Sequence, residues 1–111
     1  MSDRLSKLND LLRDEVARAA KTELEEELNT LITVTGADVS PTLEHATIKI
    51  SVYPPRKEEV ALTQLNEKIY NIQQAINRRL KMRPVPKIRF EIDRSRLNAE
   101  KIEKVLQKIV E

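Results

Sequence analysis

Residues 45–53, HATIKISVY, carry the clearest structural signal in the chain. Apolar residues occupy every second position here, and polar residues lie between them, which is the pattern of a strand with one buried face. The apolar residues are Ala46, Ile48, Ile50 and Val52. Prolines at positions 54 and 55 end the strand, because proline has no amide hydrogen to donate to a neighbouring strand.

The residues before this strand predict its partner. Residues 31–39, LITVTGADV, place Ile32 and Val34 on one side of a second strand, with threonines on the other. Gly36 inside this pattern indicates a β-bulge. Residues 40–42, SPT, are typical of a turn. The two segments are therefore predicted to form a hairpin.

The segments after the hairpin predict a helix and a third strand. Residues 58–82 repeat apolar residues at helical spacing, and the sequence PVP at 84–86 ends that helix. Residues 87–93 alternate again, with Ile88, Phe90 and Ile92 on the inner face. Because a helix connects the second and third strands, one pair of strands can be parallel.

Amphipathic helices are also predicted at both ends, over residues 2–27 and 98–110. The order of elements is helix, strand, strand, helix, strand, with a short C-terminal helix. Helices on one face of a three-stranded sheet give an α+β sandwich of two layers. We predict a single domain over residues 1–111, since a chain of this length can bury one core.

The composition excludes several classes of site. The chain has no cysteine, so disulfides, thiolate metal sites and cysteine nucleophiles are excluded. Gly36 is the one glycine, which excludes glycine-rich nucleotide loops. Tyr53, Tyr70 and Phe90 are the three aromatic residues, too few for a platform that stacks single-stranded bases.

No residues stand out as catalytic or metal-binding. His45 is the single histidine, and no candidate nucleophile lies at a fixed spacing from it. Consecutive glutamates at 25–27 fan out around a helix and do not converge on a metal ion. We expect no enzymatic activity, no metal, no cofactor and no small-molecule substrate. The charged N-terminus and the lack of a long apolar run predict a cytoplasmic protein that does not enter a membrane.

Charge divides the chain into two unequal halves. Residues 1–67 hold 8 Lys or Arg and 13 Asp or Glu, whereas residues 68–111 hold 12 and 5. The cations concentrate around the end of the long helix and the third strand, which favours a basic surface for a polyanion. The acidic half is expected to repel that polyanion and orient its docking. The predicted RNA-binding residues are Asn77, Arg78, Arg79, Lys81, Arg83, Lys87, Arg89 and Arg94, with Arg96 in the same basic run.

Two blocks of sequence resemble a known family. Residues 39–52, VSPTLEHATIKISV, and residues 76–93, INRRLKMRPVPKIRFEID, are similar to the corresponding blocks of bacterial ribosome-binding factor A, and the resemblance extends over residues 5–109. It implies a type II KH-like fold without the KH glycine loop, which this sequence also lacks. The family usually kinks its long helix at Ala-x-Gly, where this chain has Lys68-Ile69-Tyr70.

The resemblance also implies a function. The family binds the small (30S) ribosomal subunit late in assembly, contacts 16S rRNA, assists maturation of its ends and is associated with growth in the cold. We therefore expect a monomeric assembly factor whose partners are the 30S subunit and 16S rRNA. One alternative from another class is a protein interaction module, which would dock the basic surface and the terminal helix on an acidic protein partner. A ribonuclease is disfavoured because the chain lacks a set of catalytic residues.

Overall fold

The three predicted strands pair into one mixed sheet. A computed structural model describes residues 2–24 and 30–95. The strands are β1 (Leu31–Val39), β2 (His45–Tyr53) and β3 (Lys87–Ile92), arranged in the order β1-β2-β3. β1 and β2 are antiparallel, as a hairpin requires, and β2 and β3 are parallel, as the helical crossover between them predicts.

The bulge expected in β1 keeps its apolar residues on one face. The register shifts between Val34, which lies opposite Ile50, and Gly36, which lies opposite Lys49. Thr35 is the extra residue, so the side-chain alternation changes phase at this point. Ala37 and Val39 consequently face the same side as Ile32 and Val34, and the whole strand contributes to the core.

All helices described pack on that apolar face. They are α1 (Ser2–Glu23), α2 (Glu58–Glu67) and α3 (Ile69–Arg79), and a single turn of 3-10 helix (Pro55–Lys57) leads into α2. The largest side chains buried between helices and sheet are Leu12, Val16, Ile48, Ile50, Leu65, Ile72 and Ile76. The opposite face of the sheet carries polar residues, so the fold has two layers, as predicted.

The helix predicted over residues 58–82 is divided in the structure. Lys68, with φ −100° and ψ 3°, separates α2 from α3, and α3 ends at Arg79. The apolar spacing continues through the division, because Leu65, Ile69 and Ile72 still face the core. The division lies within the stretch 68–70, which matches the position of the Ala-x-Gly kink in the family and lacks that motif.

Two side-chain amides tie the helices to the outer edges of the sheet. Asn9 of α1 accepts a hydrogen bond from the backbone N–H of Val39, with 2.9 Å between Oδ1 and N. Gln73 of α3 donates to the carbonyl of Pro86 at 3.1 Å and accepts from the N–H of Ile88 at 2.9 Å. The start of β3 is therefore held at a defined position beside α3.

Some predictions lie outside the described residues. These are the extension of the first helix over residues 25–27, the C-terminal helix over 98–110, and the position of Arg96.

Candidate nucleic-acid interface

The direction of each element determines which cations meet. β1 ends, β2 begins and β3 begins at one end of the sheet, where His45 pairs with Lys87. Helix α3 also ends there, because Gln73 binds residues 86 and 88 at the start of β3. Four predicted residues, Arg78, Lys81, Arg83 and Lys87, lie between the last turn of α3 and the first residue of β3. We call these four residues the basic end.

Three cations of the basic end are available to a ligand. Arg78, Lys81 and Lys87 are exposed. None of their side chains forms a hydrogen bond or ion pair with any residue in the described ranges 2–24 and 30–95. Charged groups without an internal partner keep their hydrogen-bonding capacity for an incoming anion, and Lys and Arg are the usual partners of phosphate.

Arg83 combines exposure with a structural role. Its Nη1 donates to the carbonyl of Leu80 at 2.8 Å and to that of Met82 at 2.7 Å. Leu80 is the C-cap residue of α3, and Met82 lies in the turn that follows the helix. Arg83 thus stabilises the turn that carries Lys81 to the surface.

Arg79 and Asn77 are engaged with neighbouring side chains. Arg79 forms an ion pair with Glu15 of α1, and the Glu15 side chain is only 12% exposed. Asn77 is half-buried and accepts a hydrogen bond from Gln73 at 3.1 Å. The Arg79 contact joins α3 to α1, and the Asn77 contact lies within α3, on the residue that holds the start of β3.

Arg89 lies on the face of the sheet that the helices leave uncovered. Its Nε donates to Thr47 at 3.1 Å, and its Nη2 is 3.7 Å from Glu91. Lys49 also donates to Glu91 at 2.9 Å. The Lys49 hydrogen bond and charge, followed by the Arg89 charge, hold the pKa of Glu91 below its usual value. Arg89 therefore belongs to a charge network on this face, two residues along β3 from Lys87 of the basic end.

Arg94 lies at the opposite end of the sheet. It follows β3 and pairs with Glu58 at the start of α2, with 3.4 Å between Nη2 and Oε1. Seven residues of extended chain separate Arg94 from Lys87, which corresponds to roughly 20 Å. The eight predicted residues consequently do not form one continuous patch.

The sequence reasoning missed the positioning role of Gln73. Both polar atoms of its side-chain amide form hydrogen bonds within the fold. No local sequence signal separates Gln73 from Gln74, since the partners of Gln73 are backbone atoms 13 and 15 residues away.

The described residues form neither a metal-binding cluster nor a membrane-spanning helix. Within residues 2–24 and 30–95, no group of three or more His, Cys, Asp or Glu is placed to hold a metal ion. Across the same ranges, no helix has the length and apolar character needed to cross a bilayer. The candidate site therefore rests on the exposure and charge of the basic end.

Solved structures with this architecture are found among ribosome-binding factors. The crystal structure of ribosome-binding factor A from Thermus thermophilus superposes with a TM-score of 0.69 at 24% identity, covering 79% of this chain and 93% of that one. A homology model of the Thermus thermophilus factor, fitted into a cryo-EM map of a 30S complex, matches with a TM-score of 0.58 at 27% identity. It covers 75% of this chain and 92% of that one. The fold and the basic end define a small KH-like α+β protein with a surface suited to a polyanion.

Sequence comparison then gives the family. The family model for ribosome-binding factor A matches residues 4–106. Over 109 residues the chain is 34% identical to ribosome-binding factor A of Thermomicrobium roseum, covering 97% of this chain and 84% of that protein. It is also 34% identical over 109 residues to the factor of Rhodopirellula baltica, covering 97% and 80%. The chain belongs to the ribosome-binding factor A family.

Proposed function

We propose that this protein binds the immature 30S ribosomal subunit through phosphates of 16S rRNA. It assists late maturation of the subunit, including processing of the 16S rRNA ends, without catalysing cleavage. Family membership supports this proposal, as does the related Thermus thermophilus factor fitted into the map of a 30S complex. The single observation that carries it is the group of partner-free cations at the basic end.

The mechanism follows from binding alone. Phosphate contacts position a protein on RNA without reading its sequence, and they carry most of the salt-dependent affinity. A protein that binds one rRNA conformer more tightly than another shifts the population toward the first. Occupancy of the immature subunit by this domain would therefore favour the rRNA conformer on which the processing enzymes act.

The first test is charge reversal at the two cations that the fold does not use. Arg78→Glu with Lys81→Glu should weaken co-sedimentation with immature 30S subunits about tenfold or more. The same variant should reduce the slope of log K against log salt by about two for isolated 16S rRNA. Arg79 and Arg83 are unsuitable for this test, because their replacement also removes contacts within the fold.

A matched control is available on α1. Arg18→Glu with Lys21→Glu reverses the same two residue types at exposed positions near the other end of the molecule. We expect this variant to bind like the unmodified protein. If Arg78→Glu with Lys81→Glu binds rRNA unchanged, the proposed surface is wrong. If an acidic protein partner is lost while rRNA binding persists, the protein interaction module is the better description.

The role in maturation has its own measurement. Cells that depend on the Arg78→Glu, Lys81→Glu variant should accumulate 16S rRNA with unprocessed ends, whereas cells with the control variant should not. The purified protein should leave precursor rRNA intact. Cleavage of that RNA by the purified protein would contradict the non-catalytic mechanism.

A further inference from the structure

We infer that Arg4 and Lys7 of α1 belong to the same phosphate-binding surface as the basic end. This inference rests on the proposed function and extends its surface to a second helix. Both residues belong to the acidic half of the sequence, residues 1–67, which we expected to repel the RNA.

The packing of α1 against α3 is antiparallel. Glu15 pairs with Arg79, and Glu23 accepts a hydrogen bond from Asn71 at 3.4 Å. Moving eight residues along α1 therefore corresponds to moving eight residues backward along α3. Since α3 ends at Arg79, the turns of α1 that precede Glu15 extend past the end of α3. They reach the same end of the molecule as Lys81 and Lys87.

A second contact places this part of α1 independently. Asn9 binds the backbone N–H of Val39, the last residue of β1. The turn from β1 leads to His45, which pairs with Lys87 in the sheet. Lys7 and Arg4 precede Asn9 by two and five residues, which is about 3 and 7.5 Å along a helix axis.

The two cations also lie on the side of α1 that faces α3. Residues 4, 7, 11 and 15 follow steps of three and four, and such residues form one stripe along a helix. Glu15 in this stripe contacts Arg79, so the stripe faces the last turn of α3. Arg4 and Lys7 are thereby directed toward the chain that carries Lys81 and Arg83.

No contact within the fold accounts for these charges. Arg4 and Lys7 are exposed and form no hydrogen bond or ion pair with residues of the described segments. The nearby acids Asp10 and Asp14 are paired with Arg13, at 3.5 and 3.2 Å. The helix dipole disfavours cations near the start of a helix, so the position of Arg4 and Lys7 does not benefit α1 itself.

Acidic groups at this end remain fewer than the cations. Asp38 and Glu44 are exposed there, beside the ends of β1 and β2. Arg13 balances one of the two charges of Asp10 and Asp14. Among the described residues, the six cations, counting the basic end with Arg4 and Lys7, still outnumber these acids. An RNA strand that contacts Arg78 and Lys81 would therefore meet two further cations across the end of α3.

The test compares two pairs of residues on one helix. Arg4→Glu with Lys7→Glu should weaken binding to 30S subunits and 16S rRNA about tenfold and reduce the salt slope by about two. Arg18→Glu with Lys21→Glu changes the same residue types about 21 Å from Arg4 along the helix axis and should have no effect. The dipole favours the Glu charge at position 4 and disfavours the Glu charge at position 21, and the melting temperature of each variant is measured so that a loss of binding is not attributed to unfolding.

The outcomes separate this inference from the proposed function. If Arg4→Glu with Lys7→Glu binds normally while Arg78→Glu with Lys81→Glu binds weakly, α1 is not part of the surface and the inference is wrong. If both variants bind normally, the basic end itself is not the RNA surface. Weakened binding in both, with a normal control and an α1 variant that remains folded at the assay temperature, supports a surface that spans α1 and α3.

Discussion

Single polar side chains position the candidate site. Gln73 does so through three side-chain hydrogen bonds. Its amide satisfies the carbonyl of Pro86 and the N–H of Ile88. Gln73→Leu should lower the free energy of unfolding by about 1–3 kcal/mol, because two backbone groups lose their partner. Gln74→Leu is the matched control, since Gln74 is also half-buried but forms no hydrogen bond among the described residues. Equal urea midpoints for the two variants would contradict this role.

Asp93 makes one part of the stability depend on pH. Burial raises its pKa, but the Thr35 hydroxyl at 2.7 Å and the Ser95 N–H at 2.8 Å outweigh burial and lower the pKa below 3.8. Such a carboxylate stabilises the fold above its unfolded pKa, and this contribution is lost as pH falls through the lowered value. Asp93→Asn should cost about 1 kcal/mol at pH 7. Urea unfolding should show the difference shrinking below about pH 4, and a constant difference would argue against ionisation as the cause.

At the scale of elements, the bulge in β1 contains Gly36 but does not require glycine there. A Cβ added there meets no atom within 4 Å, and the φ angle of Gly36 is not positive. Alanine can therefore adopt this conformation and loses less backbone freedom on folding than glycine does. Gly36→Ala should raise the free energy of unfolding by about 0.4–1 kcal/mol in urea denaturation. A loss of stability would mean that the bulge requires glycine for a reason outside its backbone geometry.

The elements also show what the sequence could and could not predict. The bounds of β1 and β2 were predicted correctly, because two-residue alternation and flanking turn or proline residues are local signals. The division at Lys68 leaves no trace in the apolar spacing, since Leu65, Ile69 and Ile72 keep a helical pattern across it. Pairings such as Arg79 with Glu15 join residues 64 positions apart, so periodicity does not reveal them.

At the scale of the whole molecule, cations that are neighbours in the sequence are not all neighbours in the structure. The run from Arg78 to Arg94 reads as one basic block, yet the structure distributes it over two ends and two faces. Conversely, α1 comes from the acidic half, and its antiparallel packing brings Arg4 and Lys7 beside the basic end. To predict which cations lie together, the direction of each helix and strand must be known. A count of charges along the sequence does not give these directions.

The amide contacts of Asn9 and Gln73 have a consequence for the sheet as a whole. A sheet can grow sideways when the outward N–H and C=O groups of its edge strands accept another extended chain. Here a helix side chain already occupies such groups at Val39 on one edge and at Pro86 and Ile88 on the other. An approaching peptide or second copy finds these positions filled, so this end of the sheet resists lateral polymerisation.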